Sequence, residues 1–382
     1  MASKCNLTVN GRTVRASVGE TLVDAAMGGW IAVPHDCCSG QCETCRVRVV
    51  SGSVDDQGTG EGDTVLACQA TLEGDAVITY DEVPEATKRA GQVAAMRALS
   101  RDVVEVIVEL RSPLDYLPGQ YVSVTFAGFP PRDYSPTLHW DGTRAAHELV
   151  FHIRMLPDGI VSSELGRSIT PGHRVDVRGP FGHAFFRRGD GLMVLVAGGT
   201  GWAPIWAVAH EAVRARPRRD IIVIVGARDH DGLYMRQSLD WLRDHGAREV
   251  IATSRQGGGG LVRSGRPTNY LPLLGPSDMV YVAGAPGLVD AVKLKALSAG
   301  AFCFADPFLP SQQRMSFMDR MARLLRTPGR TPVPQDAGLF APQMAGADDA
   351  GRVPAARPAN RPAARRLLQE TLFAARRLMR RE

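Results

Sequence analysis

The sequence predicts a multidomain chain of 382 residues: a β-grasp domain, an antiparallel β-barrel, a doubly wound α/β domain, and a largely disordered tail with a terminal helix. Three observations carry that expectation. Five of the seven cysteines fall between Cys37 and Cys68, within a stretch of short strands. Residues 99–188 hold several short strands and turns but no long helix, the pattern of an antiparallel barrel. From Leu192 onward, fully apolar runs alternate with helical segments, as in a parallel sheet covered on both faces.

Length and composition set the bounds. The chain is long enough for two or three domains with sizeable cores, and its apolar and charged content is ordinary for soluble protein. No apolar run at the N-terminus resembles a signal peptide, and no stretch approaches 18 apolar residues. An odd, crowded set of cysteines speaks against a disulfide framework and for metal in a reducing compartment, so a cytoplasmic protein is expected. The charge is unevenly spread. Residues 1–82 carry 5 basic and 12 acidic groups, residues 83–308 carry 26 and 22, and residues 309–382 carry 14 and 6. The basicity therefore belongs to the tail. No zinc-finger, helix-turn-helix or ribonucleoprotein signature accompanies it, and no nucleic-acid partner is expected.

The first domain, residues 1–82, opens with alternating residues 6–16 around Asn10-Gly11, a strong hairpin signal. Thr21 is placed to cap a short helix ending at Gly29, with Leu22, Ala25 and Ala26 on its apolar face. Then comes Cys37-Cys38-Ser39-Gly40-Gln41-Cys42-Glu43-Thr44-Cys45, a strand from Arg46 to Val50, and Cys68 in Val-Leu-Ala-Cys-Gln. Cys37, Cys42 and Cys45 are spaced C-x4-C-x2-C, and with Cys68 they give the plant-type [2Fe–2S] ligand spacing. Ser39 and Gly40 permit close backbone approach. Cys42 and Cys45 also match a zinc half-site, but zinc normally takes a second close pair, and Cys68 stands alone. Cys38 and Cys5 read as ordinary small residues.

Residues 83–98 read as a linker and residues 99–188 as the barrel. Val103–Leu110 alternates as a strand, Pro118-Gly119-Gln120-Tyr121 turns into a second, and others follow at 148–153 and 174–177. Two stretches here carry chemistry. In Arg132-Asp133-Tyr134-Ser135, an arginine suits a phosphate, a tyrosine can cover a flavin ring, and a serine hydroxyl can meet its redox edge; the bland alternative is a solvated turn. Phe151-His152-Ile153-Arg154 is followed by Val161-Ser162-Ser163, which opens a helix whose N–H groups could face a pyrophosphate or simply cap a turn.

The α/β domain spans 189–309. Buried strands are expected at 192–197, 221–226, 249–253 and 279–283, with helices to about Ala215, around 235–245 and at 287–298. Gly198-Gly199-Thr200-Gly201 and Gly284-Ala285-Pro286-Gly287 stand at strand ends, where such sheets bind nucleotides. The first is not the G-x-G-x-x-G fingerprint, because Pro204 stands where the third glycine would be; a first-turn proline suits that position.

In this order and spacing the motifs resemble the NADH-dependent reductase components of bacterial aromatic-ring and multicomponent oxygenases with an N-terminal ferredoxin domain, the naphthalene dioxygenase reductase type. They are also similar to the CDP-6-deoxy-glucoseen reductases. The resemblance covers about residues 5–310 and rests on the cysteine stretch with Val65–Gln69, Arg132-x-Tyr134-Ser135, Phe151–Arg154, Gly198–Gly201, Tyr281–Pro286 and Phe304-Ala305-Asp306-Pro307-Phe308. It implies FAD held by Arg132, Tyr134, Ser135, Arg154, Val161 and Ser162, with Ser135 as the candidate catalytic residue. It implies NADH on Gly199, Thr200, Gly201, Gly284 and Pro286. Phe308 would lie near the flavin with Asp306 beside it, and the cluster ligands would be Cys37, Cys42, Cys45 and Cys68. Ala283 and Leu288 depart from the family's usual cysteine and methionine, and the tail 310–382 has no counterpart in compact members.

The implied activity is an electron relay from NADH through FAD to a cluster at low potential, about −400 mV, and on to a terminal oxygenase or other electron-accepting protein. The acidic first domain would dock a basic partner surface. Gly226-Ala227-Arg228-Asp229 leans to NADH over NADPH, with Arg228 keeping the choice open. Other readings are a deoxysugar-pathway electron donor and a non-catalytic redox sensor or scaffold. In the tail, residues 365–381 place Leu368, Leu372, Ala375 and Met379 on one helical face flanked by arginines, suited to a partner or an anionic membrane surface, or equally to folding back on the reductase or standing as a spectator extension; a shorter helix expected at 315–325 has the same alternatives.

Overall fold

In the computed structural model, Asn10 and Gly11 take positive φ (44° and 81°) and fold β1 (Lys4–Val9) onto β2 (Arg12–Ser17). The structure describes residues 3–40, 43–216, 220–256 and 262–309, all within one compact unit, Met1–Gln313. Cys42, the tail 310–382 and both helices expected there lie outside the described residues.

Helix α1 (Leu22–Gly28) starts where the Thr21 hydroxyl accepts the Asp24 N–H at 3.1 Å. It buries Leu22, Val23, Ala25 and Ala26 on a mixed sheet of β3 (Arg46–Asp55), β4 (Thr64–Leu66), β5 (Thr71–Thr79) and the hairpin. The strand order is β2-β1-β5-β3-β4, with β1 and β5 parallel and the other pairs antiparallel. This is the expected β-grasp arrangement.

The barrel comprises β6 (Thr87–Ala98), β7 (Val103–Leu110), β8 (Tyr121–Phe126), β9 (Arg132–Tyr134), β10 (Glu148–Arg154) and β11 (Arg174–Phe181). The order β10-β7-β6-β11-β8-β9 is antiparallel throughout, and a bridge from Thr137 to Val150 brings the two ends together into a nearly closed sheet. Residues 83–98 are therefore not a linker: most of them form β6, in the middle of this sheet. Only Val93 of that strand is fully buried, and a bulge between Val93 and Ala95 breaks its alternation. Its small residues have a packing role, since a Cβ on Gly91 would come within 2.4 Å of the Glu109 carbonyl oxygen. A second correction concerns the helix expected at Val161-Ser162-Ser163. It is a single 3-10 turn, Ser162–Glu164, stopped by Gly166 at φ 78°.

The third domain contains β12 (Met193–Gly198), α2 (Trp202–Ala215), β13 (Ile221–Ala227), α3 (Arg236–Asp244), β14 (Glu249–Ser254), β15 (Val262–Ser264), β16 (Met279–Gly284), α4 (Pro286–Ser298) and β17 (Phe302–Pro307). All six strands are parallel, in the order β15-β14-β13-β12-β16-β17. Alternation along each strand separates two cores. Met193, Leu195, Val223 and Tyr281 pack with α2 and α3, while Val194, Val196, Ile224 and Val282 pack with α4. Successive strands leave β12 in opposite directions, so the sheet has its switch point between β12 and β16, where Gly198 and Gly284 end their strands. Strands β15 and β17, at the two edges, were not anticipated from the sequence.

Candidate functional site

The cysteine loop is coiled by residues in left-handed backbone conformations: Cys38 (φ 51°), Gly40 (74°) and Glu43 (54°). Such geometry turns backbone N–H groups toward the inside of the loop. The Ser39 N–H donates to Cys37 Sγ at 3.4 Å. A Cβ on Gly40 would meet the Gln69 side chain at 3.3 Å, in a conformation side chains rarely adopt. Cys68 is drawn in by two contacts: the Ala67 N–H donates to the Cys45 carbonyl at 2.9 Å, and Gln69 Nε2 donates to the Cys38 carbonyl at 3.1 Å. Gln69 Nε2 also lies 3.6 Å from Cys68 Sγ. The Cys38 thiol is raised, first by burial and then by the neighbouring Cys68 and Cys37 sulfurs. These contacts draw the segments carrying Cys37, Cys45 and Cys68 together, and N–H donors reach the Cys37 and Cys68 sulfurs, although no three metal-ligating side chains among the described residues stand grouped around one point. That donor set fits an iron–sulfur cluster.

Across the barrel, the Arg132–Tyr134 strand ends at Ser135. The Tyr134 ring packs against Phe151, its centroid 5.9 Å away, and burial pushes its phenol upward. The buried Ser135 Oγ donates to Asp306 Oδ2 at 3.2 Å. Burial raises the Asp306 carboxyl to about 7, and the Ser135 hydrogen bond only partly offsets this. Arg154 reaches from β10 toward the third domain. A Cβ on Gly199 would stand 2.7 Å from its Nη2, and the loop's φ of 57° at this position is one that other side chains rarely adopt. Its buried Nε lies 3.3 Å from Asp102 Oδ2 but is not aligned to donate. A guanidinium with a buried, unsatisfied N–H at the seam of two domains fits an anionic phosphate group of FAD. Val161 is fully buried, and Ser162 Oγ accepts the Leu156 N–H at 3.1 Å, which holds the turn in shape.

The two glycine loops of the third domain lie backbone against backbone. A Cβ on Gly201 would come within 2.2 Å of the Ala283 carbonyl oxygen, and one on Gly284 (φ 129°) within 2.7 Å of the Gly198 carbonyl oxygen. Thr200 sits in the 3-10 turn Gly199–Gly201 that leads into α2, and Pro286 opens α4. The Phe308 N–H donates to the Gly284 carbonyl at 2.8 Å. Strand β17 pairs Asp306 beside Ala283, and so carries Asp306 and Phe308 to the nucleotide end of the sheet. A cleft of about 490 Å³, lined by Leu99, Arg101, His230, Tyr234 and Arg236, opens between this domain and the barrel.

Sequence reasoning missed how the cysteine loop is seated. Thr44 Oγ1 accepts the Gly182 N–H at 3.0 Å, and Tyr121 Oη donates to Asp36 Oδ2 at 3.1 Å, so both flanks of the loop rest on the barrel. Glu43 lies 2.8 Å from Lys293 Nζ on α4. Arg187 Nε reaches Asp81 at 2.7 Å. Several of the acidic groups expected to face a partner therefore face the chain's own basic residues. The faint signal was charge: an acidic first domain joined to a more basic body.

This juxtaposition of a cysteine-lined cluster loop, a flavin-type barrel and a nucleotide-binding sheet defines an oxidoreductase with three redox or nucleotide sites. Family models match each part: the 2Fe-2S iron-sulfur cluster binding domain over residues 7–73, the oxidoreductase FAD-binding domain over 90–186, and the oxidoreductase NAD-binding domain over 195–294. The chain is 32% identical over 327 residues to the reductase component of the naphthalene 1,2-dioxygenase system of Pseudomonas putida, covering 79% of this chain and 97% of that one. It is 30% identical to the xylene/toluene monooxygenase electron transfer component XylA of Pseudomonas putida, covering 76% and 89%. Among solved structures, the Amycolatopsis cytochrome P450 reductase GcoB is similar, with a TM-score of 0.59, 26% identity and coverage of 80% of this chain and 99% of that one. The chain belongs to the family of ferredoxin–NAD(P)+ reductase components that combine a [2Fe–2S] domain with FAD-binding and NAD-binding domains. No helix among the described residues is long and apolar enough to cross a membrane.

Proposed function

We propose that this protein is a cytoplasmic reductase that draws electrons from NADH and delivers them singly to the terminal oxygenase of a multicomponent system. FAD, when bound, supplies the conversion from a two-electron hydride to single electrons that a [2Fe–2S] cluster can take. Arg132 and Arg154 neutralise the cofactor's phosphates, with the Val161–Ser162 turn beneath them. Tyr134 covers the flavin ring, and Ser135, held by Asp306, presents its hydroxyl to the ring's redox edge. Gly199, Thr200, Gly201, Gly284 and Pro286 form the nucleotide cradle, and Phe308 lies near the flavin ring. Cys37, Cys42, Cys45 and Cys68 hold the cluster. The connector between ferredoxin domain and barrel is the short stretch 80–86 between β5 and β6.

The observation that carries this reading is the meeting of all three sites. Arg154 of the barrel abuts Gly199, Ser135 joins Asp306, and Thr44 of the cysteine loop joins Gly182 of the barrel. Purified protein should show flavin and [2Fe–2S] absorption, and anaerobic NADH should produce the EPR signal of a reduced [2Fe–2S] centre. NADH-dependent reduction of cytochrome c should be fast, and product should form when an aromatic-ring oxygenase component is added. A protein without that EPR signal would refute the relay.

A further inference from the structure

We propose that Lys293 is a positioning residue for internal electron transfer: by joining Glu43 and Glu61, its ammonium holds the cysteine loop against α4. The proposal rests on the electron-transfer reading above. Glu43 lies inside the cluster loop, between Cys42 and Cys45, and Lys293 stands on a different domain 250 residues away. Lys293 Nζ lies 2.8 Å from Glu43 Oε1 and 2.5 Å from Glu61 Oε1. Arg46, directly after Cys45, completes the group at 3.1 Å from Glu61 and 3.5 Å from Glu43. Two cations thus meet two carboxylates, so these four side chains are balanced in charge.

Exposed ion pairs contribute little, but these are not exposed: the four side chains retain between 6% and 23% of their surface. Burial alone would lower the Lys293 ammonium, yet Glu43 and Glu61 outweigh it and hold the group above the ordinary lysine value. Removing one member of such a group leaves the others uncompensated in a poorly solvated seam. The loop has a second anchor on the barrel, where Thr44 accepts the Gly182 N–H. Loss of Lys293 therefore loosens one side of the loop without releasing the domain. Lys293 also lies about 10 Å along α4 from Pro286, at 1.5 Å per residue, so one rigid helix carries both the nucleotide loop and the cluster-loop anchor.

The test uses the full-length holoprotein, Lys293→Met and Lys293→Arg. Anaerobic stopped-flow absorbance follows flavin bleaching and cluster reduction separately after mixing with NADH. Hydrogen exchange follows the amides of residues 43–46. Lys293→Met should leave flavin bleaching within about twofold and slow cluster reduction roughly ten- to a hundredfold, the scale of an ångström-level misplacement. Its loop amides should exchange faster. Lys293→Arg should restore both readouts. Unchanged cluster reduction and amide exchange in Lys293→Met would overturn the proposal, as would a defect that Lys293→Arg does not repair. If the purified chain carried neither FAD nor cluster, the functional reading would fail, while the exchange comparison would still decide the anchor.

Discussion

Asp306 shows how one side chain inherits its behaviour from its place in the fold. Strand β17 carries it to Ser135, and burial lifts its carboxyl to about 7. Because the folded state then holds its proton more tightly than the unfolded chain does, this group costs stability as pH rises from about 4 towards 7. Asp306→Asn should therefore match the parent's melting temperature near pH 4 and exceed it near pH 8, as followed by thermal unfolding. Cys68 makes a complementary case, since it lies far from the other cysteines in sequence but is tied to them through Ala67 and Gln69. Cys68→Ser should abolish the [2Fe–2S] EPR signal while flavin absorption and NADH–ferricyanide activity persist.

Among the elements, the glycine loops depend on steric room more than on any side chain. Gly201→Val would drive a side chain into the Ala283 carbonyl. It should raise the KM for NADH at least about tenfold, the order expected when reacting groups are displaced, and leave the flavin and cluster spectra intact. In helix α2, Trp206 stacks on Trp202 with centroids 5.9 Å apart and donates its indole N–H to the His139 carbonyl at 2.9 Å. Trp206→Ala should cost about 3–5 kcal/mol, measured as the denaturant shift of the NAD-domain transition.

These elements differ in how plainly the sequence announces them. The Asn10-Gly11 hairpin and the apolar runs of β12, β13 and β16 are local patterns, and the structure holds them where the sequence puts them. Strand β6 is rich in small residues and mostly exposed, with a bulge, so its alternation was too weak to read. Strand β15 has only three residues, and β17 is recognisable as a motif but not as a strand. The contacts of Thr44 with Gly182 and of Glu43 with Lys293 join residues 138 and 250 positions apart, a separation that no periodicity or motif spans.

For the molecule as a whole, every described residue assigned here to a cofactor lies at or before Phe308. A chain ending after Leu309 should keep both cofactor spectra and its NADH–ferricyanide rate, as absorbance and steady-state assays would show. The position of β17 has a further consequence. A ribosome releases the amino-terminal domain first, and Cys37 to Cys68 can be complete while the rest is still being made. Ser135 must wait for Asp306, 171 residues downstream. The outlet of the relay is thus built early and its inlet last, so a nascent chain can hold iron and sulfide before it can consume any reduced nucleotide.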